Sequence, residues 1–235
     1  MNIVDLPVIG WRFLTWPRFS ITSHAMVSGL WRQGLRPGTV LDVGANTGQF
    51  SVATWKLLNP ERIYAFEPTP ACAKRLRRIL KRCPAAEVLQ TAVGERCGVA
   101  EFNLNSHSHS NSIRSLEESH KAAFPHAVEA GRIEVPITTL DAGLEGRLMP
   151  GPVLLKIDVQ GYESSVIAGV GKLWEVIDWV LLEASLRPLY KGEALFHDLQ
   201  GQLSALGYRF LRPVGQLADP RTGEIIQMDC LFGRS

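Results

Sequence analysis

The sequence predicts an α/β fold, a mainly parallel sheet with helices on both faces. Three observations carry that prediction. From residue 39, short apolar runs alternate with amphipathic stretches, the pattern of successive strand–helix units. "TVLDV" and "PVLLKID" read as strands buried on both sides. "VLDVGANTGQF" passes from strand to acid to a small-residue loop and into a helix, as at the ligand end of a parallel strand.

The elements follow in order. Residues 1–38 form an N-terminal cover segment, and residues 39–235 the main domain. "GWRFLTWPRFS" sets Trp11, Phe13, Trp16 and Phe19 among arginines, and its aromatics are expected to pack on the domain. "ITSHAMVSGLWRQGL" has helical spacing at Ile21, Ala25, Leu30 and Leu35. His24 in it is read as a packed or exposed residue, not a catalyst. "TVLDV" is followed by the helix "QFSVATWKLL", with Phe50, Ala53, Thr54 and Leu57 on one face. "RIYAF" precedes "PACAKRLRRILKR", where Pro70 suits the first helical turn and the late basic residues suit the dipole. "EVLQTAV" is expected as a third strand. "VAEFNL" and "RIEVPIT" are strands around an irregular insert. "PVLLKID" leads into a helix over "ESSVIAGVGKLW". "DWVLLEA", the helix "ALFHDLQGQLSALG", "YRFL" and "QMDCLFG" close the chain.

Composition narrows the function classes. The 235 residues carry 25 basic and 23 acidic side chains, net +2. That balance gives no strong electrostatic pull toward nucleic acid. No apolar run approaches the roughly 18 residues of a membrane span. Cys72, Cys83, Cys97 and Cys230 form no C-x-x-C pair, so zinc is unsupported and reduced thiols in a cytoplasmic protein are expected.

The loop after "TVLDV" consists of Gly44, Ala45, Asn46, Thr47 and Gly48. Glycine accepts positive φ and close ligand approach, and asparagine tolerates the left-handed region. A P-loop needs a lysine that is missing here. The dinucleotide fingerprint needs glycines where Asn46 and Gln49 stand. The remaining pattern is G-x-[GN]-x-G with an acid two residues ahead, and Asp42, Gly44, Asn46 and Gly48 match it. The loop resembles the S-adenosylmethionine site of Rossmann-like methyltransferases. A cofactor without pyrophosphate needs no phosphate cradle. Its ribose diol suits an acid ending the next strand, and "IYAFEP" supplies Glu67 there.

"DVGANTGQFS", "YAFEP", "AVGE", "VPITTLD" and "LLKIDVQGYE" occur in this order. Together they resemble the FkbM family of methyltransferases over roughly residues 39 to 185. The resemblance implies a Rossmann-like class I methyltransferase fold with a seven-stranded sheet. It also implies methyl transfer from S-adenosylmethionine, commonly to a hydroxyl oxygen. Carried over by position, Asp42, Gly44, Ala45, Asn46 and Gly48 would meet the methionine and ribose portions. Glu67 would hold the ribose diol, with Pro68 shaping the following turn. Ala92 and Val93 either edge the adenine or pack in the core.

A hydroxyl acceptor needs its proton removed, and Asp158 and Glu183 end neighbouring strands at the expected crevice. Asp158 is read as base, metal ligand or structural contact, and Glu183 as a second source of a base or ligand. His109, in "NLNSHSHSNSIRSLEESH", is a further candidate base. His107, Asn111, Ser112 and Arg114 of that insert, with Tyr162, are candidate contacts for the hydroxyl acceptor, a small metabolite or glycan. The acidic Glu163 suits a first helical turn. Lys156 lies on the opposite side of its strand from Ile157. The alternatives are metal-assisted O-methyl transfer, with Asp158 and Glu183 on a divalent cation, and a non-catalytic S-adenosylmethionine-binding domain.

Overall fold

A computed structural model describes residues 20–105, 111–115, 117, 129–219 and 221–235. The aromatic residues of the N-terminal segment, Trp11 to Phe19, lie outside them. The chain opens with α1 (Ile21–Arg32), β1 (Thr39–Val43), α2 (Gln49–Leu57), β2 (Arg62–Phe66) and α3 (Pro70–Leu80). β3 (Ala86–Leu89), β4 (Ala92–Val93), β5 (Gly98–Asn105), β6 (Glu129–Thr138) and α4 (Leu140–Gly143) follow. β7 (Val153–Ile157), α5 (Glu163–Ala168), β8 (Ile177–Ser185), α6 (Phe196–Ala205), β9 (Tyr208–Ala218) and β10 (Ile225–Arg234) complete it.

Seven strands form one sheet in the order β3-β2-β1-β7-β8-β10-β9. The first five of these are mutually parallel, and β10 runs antiparallel to both β8 and β9. The expected mainly parallel seven-stranded sheet is present, and an antiparallel hairpin supplies its last two strands at one edge. Strand order turns back between β1 and β7, which places the ligand crevice beyond their carboxyl ends.

Strand alternation explains why helices cover both faces. Val40, Ile63, Leu154, Leu181 and Leu231 point to one side, against Phe50 and Ala53 of α2 and Leu76 of α3. Leu41, Val43, Leu155, Ile157 and Leu182 point to the other, against Val166 of α5 and Leu199 and Leu203 of α6. All five residues of β1 and of β7 are buried. Helix α1 belongs to this packing, because Val27 and Leu30 are fully buried in the cluster that holds Val40. Its buried stripe runs through His24, Val27 and Leu30, while Ile21 is half exposed. His24 packs with Nδ1 3.0 Å from the Ser20 carbonyl oxygen.

Three local expectations are corrected. "EVLQTAV" is not one strand: β3 stays in the large sheet, and β4 pairs with β6 in a second sheet ordered β4-β6-β5. The break falls at Gln90–Thr91, where the Thr91 hydroxyl donates to the Pro136 carbonyl at 3.0 Å. The helix over "ESSVIAGVGKLW" stops at Ala168, and a 3-10 turn takes Gly171–Glu175. Gly169 and Gly171 interrupt it; a Cβ on Gly169 would lie 1.8 Å from the Gly94 carbonyl oxygen. The last two strands are longer than "YRFL" and "QMDCLFG", because they pair with each other as a hairpin.

Candidate functional site

The loop after β1 takes the backbone shape its residues allow. Gly44, Asn46 and Gly48 have φ of 83°, 47° and 96°. Gly44 is also required by space, since an added Cβ would lie 1.8 Å from the Asp158 carbonyl oxygen. The loop is tied to the end of β2: the Gly44 and Ala45 amides donate to the Phe66 carbonyl at 3.1 and 2.9 Å. The Asn46 amide donates to Glu67 Oε2 at 3.0 Å. No side chain caps the first turn of α2, whose N-cap is Gly48. Helix N-terminal amides of this kind suit a carboxylate.

Glu67 is buried at the end of β2, 6% exposed. Its Oε1 accepts from the Thr69 amide at 2.9 Å and the Thr69 hydroxyl at 2.6 Å. Burial raises its pKa, and the Thr69 and Asn46 bonds counter that rise. A carboxylate oxygen accepts about two hydrogen bonds, so Oε2 keeps one acceptor position for a ribose hydroxyl. Pro68 is buried beside it. Ala92 and Val93 are buried too, Ala92 with the small sheet and Val93 with the main core.

Asp42 is fully buried on β1. Ser51 of α2 donates to its Oδ2 at 2.5 Å, and Lys156 Nζ lies 3.5 Å from its Oδ1. In register, Asp42 stands beside Lys156 of β7. The Lys156 side chain is 8% exposed and donates to Asp158 Oδ2 at 3.1 Å. Burial opposes its charge, but Asp158 and Asp42 outweigh burial and raise its pKa above the ordinary lysine value. Lys156 therefore links the acid under the loop to the acid at the end of β7.

Further acids continue along the strand ends. Glu183 of β8 stands directly opposite Asp229 of β10. Burial first, then the charges of Asp158 and Asp229, push the Glu183 carboxyl well above the usual range. Burial, then Asp158, raises Asp229 to about 6. Gln160 joins Asp158 to Glu183, donating from Nε2 to Asp158 Oδ1 at 2.8 Å and to Glu183 Oε2 at 2.6 Å. Among the described residues, no group of three or more His, Cys, Asp or Glu side chains is placed to hold a metal ion.

The other sequence candidates divide. His107 and His109 lie outside the described residues. Ser112 is fully buried, and its hydroxyl donates to the Gln160 carbonyl at 2.6 Å. Asn111 Oδ1 accepts from the Asn105 amide at 2.7 Å. Arg114 donates to the Lys191 carbonyl at 2.9 Å, and its guanidinium stands 5.7 Å from the centroid of the Tyr162 ring. Ser112 and Arg114 are thus joined to the strand-end turn over 158–162. Glu163 Oε1 accepts from the Val159 and Gly161 amides at 3.1 and 3.2 Å.

A model of the methyltransferase FkbM domain matches residues 42–210, from the loop acid to the hairpin. The chain belongs to the FkbM methyltransferase family. Two similar proteins are the 2-O-methyltransferase NoeI of Sinorhizobium fredii and the 31-O-demethyl-FK506 methyltransferase FkbM of Streptomyces tacrolimicus. The first is 27% identical over 66% of this chain and 66% of its own length. The second is 28% identical over 72% of this chain and 69% of its own length. The chain therefore spans about two thirds of each relative. A solved structure from Thermoplasma acidophilum shares the fold at TM-score 0.52, with 13% identity, covering 100% of this chain and 97% of that one.

Within this FkbM methyltransferase domain, sequence reasoning passed over Gln160, Tyr190 and Asp229. Asp229 had a signal, a lone acid inside the apolar run "QMDCLF". Tyr190 had none, since it reaches Gln160 only through the fold.

Proposed function

We propose that this domain transfers the methyl group of S-adenosylmethionine to a hydroxyl oxygen of a small metabolite or glycan. The carrying observation is the position of Asp158. It ends β7 beside the cofactor-type loop, one-third exposed, with Lys156 on one oxygen and Gln160 on the other. A carboxylate so placed can accept the proton of a hydroxyl held in the crevice.

The residues fit the cofactor. The uncapped first turn of α2 suits its carboxylate, Glu67 suits its ribose, and Asp42 closes the loop from below. When bound, S-adenosylmethionine supplies the electrophilic methyl carbon and keeps the bonding electrons on its departing sulfur. The chain orients the acceptor in line, excludes water and takes the proton. Asp158 accepts that proton as the acceptor oxygen forms its bond to carbon. Lys156 sets its cation against one oxygen of Asp158 and leaves the other to Gln160.

The names of the relatives support an oxygen acceptor: NoeI as a 2-O-methyltransferase, the Streptomyces protein as a 31-O-demethyl-FK506 methyltransferase. The Haloferax volcanii relative, a hexuronic acid methyltransferase, adds a sugar acid to that range. The free thiols of Cys72, Cys83, Cys97 and Cys230 suit a reducing compartment such as the cytoplasm. No described helix is long and apolar enough to cross a membrane.

The test is a radiolabelled methyl-transfer screen across sugars, polyketides and lipids. Label should move to a hydroxyl in wild type and be strongly reduced in Asp158→Asn, with cofactor affinity kept. Tight cofactor binding with no transfer to any acceptor would instead support a sensing domain. Chelator treatment that abolishes transfer would replace this reading with the metal-assisted one.

A further inference from the structure

Gln160 lies within the stretch "LLKIDVQGYE", and its backbone and its side chain are both held in place. Its φ is +58°, a left-handed conformation that a residue with a Cβ rarely adopts. The surroundings enforce it. The Gln160 carbonyl accepts from buried Ser112 at 2.6 Å. The amides on either side of it, of Val159 and Gly161, both donate to Glu163. Gly161 has φ of 92°, and a Cβ there would lie 2.6 Å from Tyr190 Cβ. The side chain is fixed as well, because the buried Tyr190 hydroxyl donates to Gln160 Oε1 at 2.5 Å. That bond sets the orientation of the amide. Its NH2 must face the two carboxylates, one N–H to each.

We infer that Gln160 is a positioning residue, a bracket that clamps Asp158 and Glu183 into one hydrogen-bonded unit and fixes how Asp158 presents its carboxylate to the acceptor. This rests on the reading of Asp158 as the base. An amide suits the task because it supplies two donors without adding charge. Lys156 already furnishes the cation, and a second one would neutralise the base. The charged and titratable groups facing the unit are Lys156 from β7, Asp42 from β1, Asp229 from β10, Glu163 from α5, Tyr190 and Glu193.

The experiment is carbon-13 NMR of the side-chain carboxyls across pH, in wild type, Gln160→Met and Tyr190→Phe. Asp158→Asn and Glu183→Gln assign the two signals. A donor to a carboxylate favours its charged form. Gln160→Met should therefore move both titrations to higher pH, by about one unit. Tyr190→Phe should move them the same way by less, by releasing the amide. Calorimetry should find S-adenosylmethionine binding within about twofold of wild type, since the bonds of Gln160 run to Asp158, Glu183, Ser112 and Tyr190 and not to the loop after β1 or to Glu67. Titrations that stay in place in folded Gln160→Met overturn the bracket. Should that variant fail to fold, unmoved titrations in Tyr190→Phe overturn it equally. Methyl transfer by Asp158→Asn reports separately. Full turnover there refutes Asp158 as the base, while shifted titrations would still support the bracket.

Discussion

Gly44 and Asp158 meet backbone to backbone: a methyl group placed on Gly44 would lie 1.8 Å from the Asp158 carbonyl oxygen. The cofactor-type loop after β1 and the acid-bearing turn after β7 are therefore in direct contact, with no side chain between them. Gly44→Ala must push them apart and also adopt a positive φ. The expected loss is about 2–4 kcal/mol of stability. Chemical denaturation would show it, and S-adenosylmethionine affinity should fall more than tenfold. A variant with wild-type stability and affinity would separate the two loops.

Glu67 tests the ribose assignment. Glu67→Ala removes an acceptor from the ligand and also the latch on the Asn46 amide. Cofactor affinity should weaken by about 1–3 kcal/mol, read by calorimetry. Unchanged affinity would assign Glu67 to holding the loop alone.

Lys156→Met leaves Asp42 fully buried, with the Ser51 hydroxyl donating to one of its oxygens. Breaking a buried pair from one side typically costs about 3–5 kcal/mol. Thermal and denaturant unfolding should show that loss. Lys156→Met with Asp42→Asn should recover part of it, because the stranded charge is gone.

Glu163 links stability to pH. Burial raises its carboxyl from an ordinary 4.5 to about 7. A raised acid contributes stability that is fully present below pH 4.5 and is lost as pH rises through about 7. Glu163→Gln keeps an oxygen for the Val159 and Gly161 amides and cannot ionise. It should match wild type near pH 4.5 and exceed it at pH 8, by up to about 3 kcal/mol. Parallel stability curves across that window would assign the pH dependence elsewhere.

Much of this site could be read from the chain itself. "VLDVGANTG" shows strand, acid and turn, because consecutive residues make them, and "YAFEP" shows Glu67 for the same reason. The main sheet was legible because β1 and β7 are buried on both sides and so are apolar throughout. What escaped depends on distant partners. Gln160 reads as an ordinary loop residue until Tyr190, 30 positions away, donates to it. β4 has two residues, and pairing with β6 decides which sheet it joins. The end of α5 was missed because Gly169 looks compatible with a helix, whereas its constraint is the Gly94 backbone.

That glycine crossing has a mechanical consequence. Gly94 donates to the Thr138 carbonyl, Leu140 donates to the Gly169 carbonyl, and no side chain separates Gly94 from Gly169. The small sheet and the end of α5 are thereby riveted into a rigid plinth, with the turn that bears Asp158 and Gln160 standing at the other end of the helix. A side chain introduced at Gly94 or Gly169 would therefore wedge the small sheet away from α5 and tilt the acid-bearing turn with it.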